Sequence, residues 1–186
     1  MLGNYNDICT TVKWVKDKYG FRKNPFKLCD DLGYVLNPVS FGRDENAIKA
    51  FILQSNRIKC ITYNCDLSDD VLKPIIFHEI GHGLLHQIGL HGFTEITLYD
   101  ESSEKEKEAN LFCAEYMLED REVLDVLNSD TTFFTAASVL GVPPEILDFK
   151  FRLLKWKGYK LNEPPIYSSS NFMRNMDISA SDIFCE

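Results

Sequence analysis

The stretch Leu72 to Leu85 constrains this chain more than any other part of it, because Ile75, Ile76, Phe77, Ile80, Leu84 and Leu85 surround the run His78-Glu79-Ile80-Gly81-His82. An apolar helix there carries two imidazoles and a carboxylate on its buried side, which is costly unless those groups have work to do. The pattern predicts a helix that starts at Ser68 or Asp70, holds Pro74 near its first turn, where backbone donors lack partners, and stops at Gly89.

Residues four apart on a helix lie on one face, about 6 Å apart along the axis, so His78 and His82 can turn their ring nitrogens toward one Zn²⁺ at about 2.0–2.1 Å. Glu79 follows the first histidine and is rotated toward an attacking water rather than the ion, the position of a general base. With four histidines in 186 residues, composition alone spells H-E-x-x-H by chance in about one chain in a hundred. His86 continues the ladder but lies about 12 Å along the axis from His78, too far to share its metal. It is read as a residue behind the ligands or at the surface, and His91 as a solvated loop residue.

A catalytic zinc site takes three protein ligands and leaves one position open. The helix predicted over Ser103 to Leu118 offers Glu101, Glu104, Glu106 and Glu108. Its apolar stripe selects Glu106, which shares a face with Ala109, Asn110, Cys113 and Met117, whereas Glu108 aligns with Glu115 and Glu119 on the face expected to be solvated. A competing use exists: Ser103-Glu104-Lys105-Glu106 spells a capping box that would commit Glu106 to the backbone of Ser103. One carboxylate cannot do both.

Around this centre the chain alternates helical and extended signals. Tyr5 to Tyr19 is amphipathic and ends at Gly20; Asn24 and Pro25 open a short helix that Gly33 closes. Tyr34 to Phe41, Ala47 to Leu53 and Arg57 to Asn64 read as strands of a small meander or mixed sheet. Leu90 to Ser102 reads as a loop, Arg121 to Leu127 as a helix, and Thr132 to Leu140 with Glu145 to Trp156 as a helix pair around Gly141-Val142-Pro143-Pro144. Twenty basic against twenty-eight acidic residues give a net charge of −8, which opposes a broad electrostatic grip on nucleic acid or anionic lipid. No segment approaches the ~18 apolar residues of a membrane span, and the N-terminus lacks the pattern of a secretion signal, so the expected location is cytoplasmic. The six cysteines form no C-x-x-C pair and read as reduced, mostly buried thiols.

Taken together, Asn24-Pro25-Phe26 with Leu28 to Gly33, HEIGHGLLH from His78 to His86, E-x-x-A-N-x-F from Glu106 to Phe112 and the Gly141-Val142 helix pair resemble the ImmA/IrrE family of metallopeptidases over about residues 20 to 155. The resemblance implies an α+β, small zincin-like (thermolysin-like) fold, with a small N-terminal sheet and a mostly helical C-terminal half. A peptidase domain would span 1–130, a helix-turn-helix-like segment 131–161 and a polar tail 162–186. It further implies one Zn²⁺ held by His78, His82 and Glu106, Glu79 as base and Asn110 supporting a ligand. The expected activity is that of a zinc endopeptidase acting on a specific protein, most characteristically a helix-turn-helix repressor encoded beside it on a phage or mobile element. Glu119 stands where the family usually has a proline, which leaves the end of that helix to be settled.

Two expectations concern the cleft. Arg57 to Asn64 is the expected edge strand for an added substrate strand, and Tyr99, Tyr116 and His91 are candidates to stabilise the oxyanion. Against the peptidase stand a zinc-stabilised module without catalysis and a DNA-binding regulator using Ala137 to Leu154 with Lys150, Arg152, Lys155, Lys157 and Lys160. The acidic composition and the core-like residues of the second helix oppose direct DNA binding.

Overall fold

The computed structural model describes residues 3–88, 93–95, 99, 101, 103–129 and 131–161; His91, Cys185 and the tail 162–186 lie outside them. Among the described residues, seven helices and one four-stranded sheet make an α+β fold: α1 Gly3–Tyr19, α2 Pro25–Leu32, β1 Val35–Val39, β2 Ala50–Ser55, β3 Ile58–Asn64, α3 Asp69–Leu85, β4 Phe93–Glu95, α4 Glu104–Met117, α5 Asp120–Leu127, α6 Phe133–Leu140 and α7 Pro144–Trp156. The short second helix forms as its residues dictate. Asn24 accepts from the Phe26 N–H, Pro25 occupies the first turn, and Gly33 closes the end at φ 71°.

The sheet is mixed, in the order β1-β3-β2-β4, with β1 parallel to β3 and the other neighbours antiparallel. Leu36, Ile61 and Ile52 stand opposite one another across three strands, and Ile52 and Ile61 are fully buried. The β2–β3 hairpin turns on Asn56 and Arg57, both at positive φ (48° and 68°), as a two-residue turn matched to strand twist requires. This order corrects the expectation for Arg57 to Asn64. Strand β3 is flanked on both sides, so its backbone groups are already spent; the outer strands are β1 and β4, and β4 arises within the stretch read as loop.

Helix α3 differs from its sequence reading at both ends. It begins at Asp69, which places Pro74 inside the helix rather than in its first turn, and it ends at Leu85, with His86 as C-cap at φ −118° and ψ 153°. Gly89 lies outside the described residues. Residues Pro74 to Gly83 are all buried, with α4 against one side of α3 and strands β2 and β3 against another. One continuous cluster of buried side chains joins α1 to α7, from Ile8 and Val12 through Ile76 and Phe112 to Phe151 and Leu154.

Helix α4 ends at Met117 with Leu118 as C-cap, and Glu119 becomes the N-cap of α5 at φ −79°. The chain thus breaks the helix where the family's proline would, at a φ that proline itself favours. The Glu119 carboxylate also reaches Lys16 of α1 at 2.6 Å.

Candidate metal centre

The centre is built by two antagonistic demands on α3 and α4. Each helix must bury an apolar face against the other, yet each carries polar groups on that seam. Both are met because the polar groups converge. His78 Nε2 and His82 Nε2 lie 2.9 Å apart, and Glu106 Oε2 lies 3.1 Å from the first and 3.3 Å from the second. His78 is 4% exposed, His82 1% and Glu79 0%. The structure therefore brings together the three side chains singled out as ligands, with Glu79 buried on the same turn.

The competition for Glu106 resolves by a division of labour within the residue. Its backbone N–H donates to Ser103 Oγ at 3.2 Å, capping the helix, while its carboxylate turns to the histidines. Ser103 needs only the N–H, so the side chain is released.

Burial drives the His82 pKa down to about 4, opposed by the neighbouring Glu106 carboxylate and reinforced by His78. The ring is neutral near pH 7, the form that binds metal. Burial alone would raise the Glu106 pKa, but its contacts with His78 and His82 hold the carboxyl well below the usual carboxylate range. On the far side of His78, Nδ1 lies 2.8 Å from Asn110 Oδ1. An amide oxygen only accepts, so Nδ1 carries a proton, and the nitrogen that His78 can offer to a metal is Nε2, toward the centre.

That assignment tests whether a metal fits. With its Nδ1 proton given to Asn110, His78 can turn its Nε2 lone pair toward the carboxylate oxygen 3.1 Å away, and a cation between the two would be held by both. Ligands at about 2.0–2.1 Å from a tetrahedral ion stand about 3.3 Å from one another, and the three donor separations run from 2.9 to 3.3 Å. Two nitrogens and one carboxylate oxygen suit a borderline-soft divalent ion, and His78, His82 and Glu106 can hold one.

Other expectations need correction. Glu108 does not face solvent: its carboxylate lies 2.8 Å from His86 Nε2, and the two side chains are 19% and 4% exposed. Glu115, from the same supposed face, bridges Lys150 and Lys157 at 2.6 Å each. His86 lies behind the ligands, its Nδ1 3.0 Å from His82 Nδ1. The signal for Glu108 was the third step of the histidine ladder, which calls for an acceptor on the facing helix. Tyr116 cannot serve the reaction, because it is fully buried among Phe77, Phe112 and Phe21 and its hydroxyl accepts from the Arg22 N–H at 3.0 Å. Tyr99 packs partly buried against the core, and His91 is outside the described residues. Among the described cysteines only Cys29 and Cys113 are buried; Cys9 and Cys60 are intermediate and Cys65 is exposed.

The helix pair α6–α7 forms, with Gly141 at φ 65° ending the first helix, but three of its five basic residues are committed. Lys150 is 1% exposed and pairs with Glu115 and Asp120, Lys157 pairs with the same two acids, and Arg152 grips Glu101 and Asp148. Ile146, Leu147, Phe149, Phe151, Leu153 and Leu154 of α7 are buried. A groove-reading helix needs free cations and an open face; this helix is a core element. Among the described residues no helix is long and apolar enough to cross a membrane.

A small zincin-like α+β fold with a His-His-Glu cluster on two packed helices defines the metallopeptidase class. Residues 29–152 match the peptidase M78 family, the IrrE N-terminal-like domain, and the chain belongs to that family. It is also similar to the uncharacterized immunity region protein 2 of Bacillus phage phi105, 28% identical over 148 residues that cover 80% of this chain and 91% of the phage protein.

Proposed function

We propose that this protein is a zinc-dependent endopeptidase that cuts a specific protein, and that its substrate is a helix-turn-helix transcriptional repressor. The observation that carries the reading is the meeting of His78, His82 and Glu106 within 3.3 Å on α3 and α4, with His78 oriented by Asn110. The substrate class rests on the family resemblance, supported by a relative named for a phage immunity region.

In this reading His78, His82 and Glu106 hold the ion. Zinc supplies Lewis acidity, making water a nucleophile near neutral pH and polarising the scissile carbonyl. Glu79, on the same helical turn as His78, takes the proton from the attacking water and delivers it to the departing amine, so one carboxylate serves as base and then as acid. Its complete burial keeps that proton from bulk solvent and strengthens its electrostatic coupling to the reacting atoms. Asn110 keeps the His78 ring from rotating.

The test is co-expression with the product of a helix-turn-helix repressor gene adjacent to this one. The natural protein shortens the partner; Glu79→Gln, which keeps the three ligands, leaves it intact while still binding Zn²⁺. Removal of a positioned base costs on the order of 10²–10⁴-fold in rate. Equal partner cleavage by Glu79→Gln would sink the mechanism. An intact partner with unchanged biology in both strains would favour a zinc-stabilised module without catalysis.

A further inference from the structure

Behind His82 runs a chain of polar contacts that the hydrolytic reading does not use. Glu108 Oε2 on α4 lies 2.8 Å from His86 Nε2, and His86 Nδ1 lies 3.0 Å from His82 Nδ1. His82 Nε2 then faces Glu106 and His78. Both ring nitrogens of His86 are thereby engaged, so it is not placed to be a ligand itself.

We propose that Glu108 and His86 are positioning residues of the metal centre, a carboxylate–imidazole relay that holds His82 in the one tautomer able to offer Nε2 to a metal. The assignment follows link by link. A carboxylate accepts, so His86 Nε2 carries the proton donated to Glu108. A neutral imidazole carries one ring proton, so with Nε2–H given to Glu108 the His86 Nδ1 is bare. A bare nitrogen 3.0 Å from His82 Nδ1 accepts from it, which puts the His82 proton on Nδ1 and leaves Nε2 bare, toward the centre. The free amino acid has no such constraint and exchanges its proton between the two nitrogens. Fixing the tautomer and ring orientation beforehand removes that cost from metal binding, and the carboxylate at the far end makes the ligand nitrogen more basic.

The two histidine ligands are thus oriented by different devices. Asn110 sets His78 with one neutral amide, whereas His82 is set through a second imidazole by a charged group. Both acids come from one short segment of α4: Glu106 reaches the front of the histidine ladder and Glu108 its back. A bland alternative is that His86 and Glu108 merely tie α3 to α4. That role would contribute to helix packing but would not act on the proton position in His82.

The inference rests on the metal-centre reading, and the experiment separates the two. Metal-free protein is titrated with Zn²⁺ in competition with a chromophoric chelator, for the natural chain and for His82→Ala, His86→Phe, His86→Gln, Glu108→Ala and Glu108→Gln, and each metal-free melting temperature is recorded. One-to-one binding by the natural chain, lost in His82→Ala, upholds the centre; no binding by the natural chain sinks both. Given binding, His86→Phe and Glu108→Ala should weaken Zn²⁺ about 10–100-fold. His86→Gln and Glu108→Gln, whose amide oxygens still accept the relevant proton, should lose less. Long-range ¹H–¹⁵N spectra of the metal-free natural chain should show His82 protonated on Nδ1, with mixed tautomers in Glu108→Ala. Unchanged Zn²⁺ affinity in Glu108→Ala, or His82 protonated on Nε2 in the natural chain, overturns the relay. If His86→Phe does not fold, the Glu108 pair decides alone.

Discussion

Gly81 of α3 sits directly against Phe112 of α4: a β-carbon on the glycine would lie 3.1 Å from Phe112 Cδ1 and 3.2 Å from the Ala109 Cα. The missing side chain is what lets the two helices approach closely enough for Glu106 to reach both histidines. Phe112 and Ala109 are themselves fully buried, and one of the crowded atoms is backbone, so neither can yield cheaply. Gly81→Ala should destabilise the protein by about 1–3 kcal/mol, the usual cost of overpacking. It should also weaken Zn²⁺ binding, because α4 is pushed away from the ligands of α3. Urea unfolding with chelator competition on the same samples checks both; an alanine variant with natural stability and natural affinity contradicts the packing argument.

Metal addition should stabilise the fold through the same seam. A ligand that binds only the folded state adds about 2.7 kcal/mol at a hundredfold excess over its Kd. The melting temperature of the natural protein should rise with Zn²⁺ and fall back on chelation. Glu106→Ala should abolish that rise. A Zn²⁺-dependent shift of natural size in Glu106→Ala would mean that the ion binds elsewhere.

Lys150 is a further point of leverage, remote from the reaction. It is 1% exposed and lies 2.6 Å from both Glu115 and Asp120, which also share Lys157. Lys150→Ala leaves two carboxylates to one remaining ammonium in a largely desolvated place, and opens a cavity as well. Breaking a buried pair costs about 3–5 kcal/mol; the lower end is expected here because Lys157 still serves both acids. Chemical denaturation at neutral pH measures the loss.

The same cluster sets a pH dependence. Burial opposes ionisation of Asp120, but the hydrogen bonds from Lys150 and Lys157 prevail and hold its pKa below the ordinary 3.8. A depressed carboxylate contributes stability that is fully present above its unfolded-state pKa and is lost as pH falls through the folded-state value. Asp120→Asn should therefore show a flatter decline in stability between about pH 5 and about pH 3 than the natural chain. The difference is read as the slope of unfolding free energy against pH; parallel slopes would remove Asp120 from the acid response.

Much of this was legible in the chain. Asn24-Pro25 and Gly33 bound a helix because capping chemistry and backbone freedom are local, and His78, Glu79 and His82 share a turn because helical spacing is local too. Glu106 was reachable through the stripe it shares with Ala109 and Cys113. Glu108 was not, since that stripe describes the average direction of α4 and says nothing of how far a flexible carboxylate can bend toward a histidine on the neighbouring helix. Strand order was equally out of reach. Arg57 to Asn64 has the same alternation whether it lies at an edge or in the middle, and its central place between β1 and β2 depends on a parallel pairing with residues more than twenty positions away.

The amino-acid order by itself determined the helices, their caps and the pair of imidazoles with an adjacent base, because each depends on interactions within a few residues. Only the tertiary structure decided that Glu106 would leave its capping duty to its own N–H, that His86 and Glu108 would stand behind His82, and that Lys150 of α7 and Lys157 at its end would be absorbed by Glu115 of α4 and Asp120 of α5. These are contacts between distant segments, and their geometry is set by how closely α3 and α4 pack, a distance that Gly81 and Phe112 fix together and neither fixes alone.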